Sequence, residues 1–169
     1  MNWSRIRMLI LDVDGVLTDG RIIIDDRGLE VKHFDVRDGA GLKYWHRAGH
    51  KSAILTGRES PAVLKRAEEL GIAIVRQGAK DKLAAYEAIL AQEGLADDEV
   101  AYVGDDVTDL PVLRRVGFGA AVADGAPEAR AAALYVTQRS GGRGAVREVI
   151  EKLLRLQGRW DMIMQRYGP

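Results

Sequence analysis

The chain has 169 residues, against roughly 150 for a typical domain, which suits one domain with one core and excludes two full ones. Twenty-five Lys and Arg balance 25 Asp and Glu, so no basic excess exists to hold a polyanion by counterion release, and nucleic acid is not an expected partner. There is no cysteine, which excludes a disulfide scaffold, a thiolate metal site and a cysteine nucleophile, and no run reads as a secretory h-region or a membrane span.

Short apolar runs alternate with amphipathic segments of helix length, each run stopping at Gly, Asp, Ser or Thr, as the strands of a parallel sheet do. Strands are predicted at 6–11, 51–55, 72–76, 100–103, 118–122 and 134–137. After the first strand, the flanks of Asp25-Asp26-Arg27-Gly28 predict a hairpin over about 21–34, with His33 facing solvent. A helix follows near 38–48. The next opens at Ser60-Pro61, places Val63, Ala67 and Leu70 on one face and stops at Gly71. Another starts near Asp81, turns Leu83, Tyr86 and Leu90 inward and ends at Gly94. Asp109 can cap a helix containing Pro111, and residues 143–157 carry Val146, Val149, Ile150, Leu153 and Leu154 as an apolar stripe. Residues 158–169 lose the pattern and read as a C-terminal tail whose Trp160, Met162, Ile163 and Met164 form either a docking stripe or an unstructured end. The alternation predicts an α/β fold for residues 1–157: a Rossmann-like three-layer sandwich around a parallel sheet, with right-handed crossovers.

Ligands of open α/β sheets bind at the carboxyl ends of the strands. The residues found there are Asp12 and Asp14, then Thr56-Gly57-Arg58, then Lys82, then Asp105, Asp106 and Asp109. Asp12-Val13-Asp14-Gly15 alone is a weak signal. A calcium loop fails because Val16 and Ile23 stand where ligands are needed, and His46 with His50 lacks the neighbouring carboxylate of a zinc helix. Position strengthens the aspartates: from Asp97 to Asp109 there are six acidic residues and no basic ones. Carboxylates gathered without a cation favour a hard divalent ion, most simply Mg²⁺. A hydroxyl and an ammonium beside such an ion suit the equatorial oxygens of a phosphoryl group.

In its LDVDGVLTDG, ILTGR, Lys82 and YVGDDVTDLPVL segments the chain resembles the haloacid dehalogenase superfamily of phosphotransferases. FDVRDGAGLK, RAEELGI, QGAKDKL, VAVADGAPEARAAALYVT and SGGRGAVREV extend the likeness, over about residues 8–157, to its 3-deoxy-D-manno-octulosonate 8-phosphate phosphatases. The resemblance implies that Asp12 is the nucleophile and Asp14 the acid and base. It implies Mg²⁺ held by Asp12, the Asp14 backbone carbonyl and Asp105, with Asp106 and Asp109 supporting. Thr56 and Lys82 would grip the phosphoryl oxygens. The expected enzyme is cytoplasmic and acts on a sugar phosphate on the way to lipopolysaccharide.

Superfamily phosphatases usually cover the site with an inserted cap domain, and neither insertion point has room for one here. The resemblance implies a homotetramer instead, with hairpins in a central barrel and a neighbour's C-terminal segment closing the site. Gly57, Arg58 and Arg143 are candidates for binding the substrate, the two guanidiniums suiting its carboxylate. Arg143 lies in Ser140-Gly141-Gly142-Arg143-Gly144, which also reads as a flexible loop. From Arg139 onward seven Lys or Arg face three acids, suited to an anionic pocket in a neighbouring subunit or merely to solvent. Two alternatives stand beside this reading: a nonulosonate 9-phosphate phosphatase, and a noncatalytic phosphoacceptor or oligomerisation module. Arg58 favours the octulosonate over the first, and the second carboxylate, Asp14, argues against the second.

Overall fold

The computed structural model describes residues 2–168. Six parallel strands form the central sheet: β1 (Met8–Leu11), β4 (Lys51–Leu55), β5 (Ile74–Arg76), β6 (Val100–Gly104), β7 (Phe118–Ala121) and β8 (Tyr135–Val136), in the order β5-β4-β1-β6-β7-β8. The chain reverses direction across the sheet at β1, which pairs with β4 on one side and β6 on the other. That is the switch point at which open α/β sheets form a crevice. A separate two-stranded hairpin, β2 (Ile23–Ile24) with β3 (Glu30–Val31), projects between β1 and the first helix.

Alternation along the strands divides the core. Leu9, Leu11, Ile54, Ala101, Val103 and Phe118 face α1 (Val36–Arg47), α2 (Pro61–Leu70) and α6 (Ala145–Leu156). Met8, Ile10, Ala53, Leu55, Val100 and Tyr102 face α3 (Lys82–Glu93), α4 (Leu110–Leu113) and α5 (Pro127–Ala132). Both sheet faces are covered, which explains why the strands read as unbroken apolar runs.

Three local expectations need correction. In α3 the buried positions are Lys82, Tyr86, Ile89 and Leu90, with Leu83 only partly buried. The inward position of the first turn is taken by a lysine, which a search for apolar periodicity passes over. Asp109 stands at the start of α4 without capping it, because its carboxylate turns back to other partners; the side chain of Asp106 caps the short 3-10 turn at Val107–Asp109. After Gln157 the chain forms α7 (Trp160–Met164), which buries Trp160 and Ile163 against the core of the same chain, while Met162 stays exposed. Two inward residues three apart suffice for this short helix and are too few to register as a period. Gln157 anchors the junction: its Nε2 donates to the carbonyls of Trp3 and Ile6, at 3.0 and 2.7 Å.

One buried carboxylate organises the α1–α6 contact. Asp38 of α1 accepts from the N–H groups of Gly144 (3.2 Å) and Arg147 (2.8 Å), satisfying donors at the start of α6. Burial raises its carboxyl to about 6, against the pull of these hydrogen bonds.

Candidate active site

The loops after β1, β4, β5 and β6 enclose an open cleft of about 290 Å³ lined by Asp12, Asp14, Thr56, Gly57, Arg58, Lys82, Asp105 and Asp106, together with Ala79, Lys80 and Thr108. Segments from about a hundred residues of sequence therefore converge on one rim, as the strand-end argument requires.

Asp12 ends β1 with its N–H bonded to the Val103 carbonyl. One carboxylate oxygen accepts from the Val13 N–H at 2.7 Å and the other from Lys82 Nζ at 2.7 Å. Lys82 also reaches Asp109 Oδ1 at 2.5 Å. Burial works against this ammonium, but Asp12 and Asp109 outweigh it and raise its pKa.

Asp109, entirely buried, has no free bonding capacity. Its Oδ1 accepts from Lys82 and from Tyr102 Oη at 2.5 Å, and its Oδ2 from the N–H groups of Asp105 and Asp106 at 2.9 and 3.1 Å. Asp12, Asp105 and Asp109 lie close enough to share a cation, the only such group among the described residues. The four bonds to Asp109 nevertheless make it the brace of Lys82 and of the loop after β6. Tyr102, which reads only as an apolar strand residue in sequence, completes that brace.

Asp105 is the unsatisfied member. Its Oδ1 is buried and has no hydrogen-bond partner. Burial, then the charges of Asp12 and Asp109, push its carboxyl up to about 8. Burial also raises Asp12 to about 6, opposed by Lys82 and helped by the charge of Asp109. A dense, under-neutralised set of hard oxygens suits Mg²⁺, and the residues present fit that ion. The packing holds this arrangement: at Gly15 (φ +89°) a Cβ would lie 2.1 Å from Asp105 Oδ2.

Thr56 is buried, and its carbonyl accepts from the Ala79 N–H at 3.0 Å, which folds the loop after β5 against the loop after β4. The last candidate lies elsewhere. Arg143 lines a separate hollow with Asp19, His33, Phe34, Asp35 and Gly142, 3.4 Å from Asp19. The stretch before it is no loose loop. The Gly142 N–H donates to the Val16 carbonyl at 2.9 Å, and a Cβ on Gly141 would lie 1.6 Å from the Gly15 oxygen. This backbone-on-backbone crossing carries Arg143 past the cleft. The rings of His46 and His50 are engaged by Ser52 Oγ (2.7 Å) and Gln157 Oε1 (2.8 Å) respectively.

Two residues at the cleft mouth escape sequence reasoning. Lys32 and Glu30 extend from the hairpin to Asp14 and Arg58. Strands of two residues leave no alternation from which to infer a buried lysine.

The family model for haloacid dehalogenase-like hydrolases matches residues 29–117, a span containing Thr56, Lys82, Asp105 and Asp109. The chain is 48% identical over 158 residues, 94% of its length and 84% of the relative's, to the 3-deoxy-D-manno-octulosonate 8-phosphate phosphatase of Escherichia coli K12. It superposes with a TM-score of 0.96 on the crystal structure of that phosphatase from Moraxella catarrhalis in complex with magnesium, phosphate and KDO (42% identity, 98% of this chain and 95% of the other). The cobalt-bound Haemophilus influenzae phosphatase gives 0.92 (38% identity, 96% and 95%). With its parallel sheet, its carboxylates at the switch point and this extent of likeness, the chain belongs to the haloacid dehalogenase-like hydrolase family.

Proposed function

We propose that this chain is a Mg²⁺-dependent phosphatase that hydrolyses 3-deoxy-D-manno-octulosonate 8-phosphate to the free sugar acid and phosphate, a step toward lipopolysaccharide. The observation that carries this is the convergence of Asp12, Asp14, Lys82 and Asp105 on one open cleft, in a chain whose relatives bear that activity in their names.

Asp12 attacks phosphorus, and the bond from phosphorus to the sugar oxygen breaks as the aspartyl phosphate forms. Asp14 protonates the departing alkoxide, then takes a proton from the water that cleaves the aspartyl phosphate. Lys82, fixed by Asp109, holds the nucleophile in place and, with the Thr56 hydroxyl, binds phosphoryl oxygens. Asp12, Asp105 and the backbone carbonyl of Asp14 would hold Mg²⁺, which would supply positive charge to offset that of the phosphoryl group. Arg58 at the mouth takes the substrate carboxylate.

Only five residues, 77–81, separate β5 from α3, and only the hairpin intervenes between β1 and α1. The cleft thus has no cap of its own. The hairpin and the first residue of α1 leave Ile22, Ile24, Leu29 and Val36 more than half exposed, apolar side chains of the kind that mark association. We read it as the centre of a homotetramer. No described helix is long and apolar enough to cross a membrane.

Phosphate release from the octulosonate 8-phosphate and from a nonulosonate 9-phosphate, each with and without Mg²⁺, tests the reading. The octulosonate should have the higher kcat/KM, and activity should require the ion. Preference for the nonulosonate would move the substrate assignment, and a persistent aspartyl phosphate without turnover would favour a phosphoacceptor. Light scattering at the mass of one chain, with full activity, would remove the tetramer.

A further inference from the structure

Four side chains close a ring of alternating charge at the cleft mouth. Lys32 Nζ pairs with Asp14 Oδ1 and lies 3.4 Å from Glu30 Oε1. Glu30 Oε1 accepts from Arg58 Nη2 at 2.6 Å, and Arg58 Nε lies 3.7 Å from Asp14 Oδ2. Asp14 comes from the loop after β1 and Arg58 from the loop after β4, while Glu30 and Lys32 come from the hairpin. Lys32 retains only 2% of its side-chain exposure, unusual for a lysine just past a two-residue strand. Burying an ammonium is costly unless it is paired, and here both partners are carboxylates.

The ring divides the work of the two Asp14 oxygens. Oδ1 is taken by Lys32, whereas Oδ2 is buried with no hydrogen-bond partner. A carboxyl on a free torsion offers either oxygen in many orientations. With one oxygen pinned, the other has a fixed place, and proton transfer needs the two heavy atoms within hydrogen-bond reach.

We propose that Lys32 is a positioning residue for Asp14: it pins one carboxylate oxygen so that the other is presented to the leaving oxygen, while Glu30 holds Lys32 from behind. This rests on the reading of Asp14 as the acid and base. It also gives the hairpin a second task, since the element that offers an apolar surface to other subunits sets the geometry of the proton donor.

The test uses aryl phosphates of nearly equal size and graded leaving groups, from p-nitrophenyl to phenyl to p-methoxyphenyl phosphate. The readout is kcat/KM, which reports the steps through loss of the alcohol. A weaker leaving group depends more on a placed proton. In Lys32→Met, phenyl phosphate should therefore lose about tenfold more than p-nitrophenyl phosphate, and the sugar phosphate about 100-fold. Lys32→Arg should restore most of the loss. Melting temperature and scattering mass, read alongside, should match the parent. Glu30→Gln should steepen the leaving-group dependence in the same direction by a smaller factor, and it carries the test if Lys32→Met does not fold. Equal losses across the aryl series would assign Lys32 to structure alone and overturn the proposal. If Asp14→Asn steepens the dependence and neither hairpin variant does, only this proposal falls. If the parent hydrolyses none of the esters, the reading of the whole site falls.

Discussion

At the floor of the cleft Asp109 is entirely buried and carries four hydrogen bonds, two of them from the backbone of the loop it supports, whereas at the mouth Arg58 is about half exposed and binds a glutamate from a two-residue strand. The floor is held by strands paired across the middle of the sheet. The mouth depends on a projection whose charged side chains reach Asp14 and Arg58. Parts that must not move, the proposed nucleophile Asp12 and its lysine, sit on the first, and the residues proposed to meet the varying end of a substrate sit on the second.

This contrast can be broken from either side. The largest effect is expected at the floor: Asp12→Asn should lower phosphate release by at least about 10⁴-fold, whereas residual turnover near the parent rate would remove the nucleophile. Asp109→Ala takes one of two carboxylates from a buried ammonium and strands a tyrosine hydroxyl and two N–H groups, and should cost about 3–5 kcal/mol in denaturant unfolding.

Mg²⁺ should stabilise the same floor, by about 2.7 kcal/mol at a hundred times its dissociation constant. The pH dependence without metal has a definite sign. Asp12 and Asp105 keep their protons to about 6 and about 8 in the folded chain, against 3.8 for the ordinary carboxyl. The folded state therefore binds more protons than the unfolded one across that window, and stability falls as pH rises through it. Melting scans from pH 5 to 8 should show this decline and its reversal by Mg²⁺. A flat metal-free profile would mean that the carboxylates are neutralised in another way.

Away from both regions, Asp38→Ala should cost about 1–3 kcal/mol through two abandoned N–H groups and leave the activity of the folded fraction intact. Smallest of all, Arg58→Ala should change stability by less than about 1 kcal/mol while raising KM for the octulosonate 8-phosphate. A stability loss as large as that of Asp109→Ala would erase the distinction between floor and mouth.

The floor was legible in sequence for a physical reason. A polar side chain that interrupts an apolar strand stands out, and Asp12, Thr56 and Asp105 each end such a run. Tyr102 was hidden because its ring belongs to the apolar strand and only its hydroxyl belongs to the site. Lys32 and Glu30 were hidden because nothing local dictates that a hairpin lysine be buried; its partners lie 18 residues before it and two residues away. Arg143 misled in the opposite way. Its glycine-rich setting suggested freedom, but those glycines allow two backbones to touch, and the contact carries the arginine away from the cleft.

That contact has a consequence for synthesis. The Gly141–Gly142 segment lies against the turn that follows Asp12 and Asp14, so stretches of chain more than a hundred residues apart in sequence meet beside Asp12. A nascent chain exposes Asp12 early but lacks the strap that shapes its loop until residue 142 has left the ribosome. Stalled chains ending before Ser140 should release no phosphate from a reactive phosphate ester, and chains extended past α6 should.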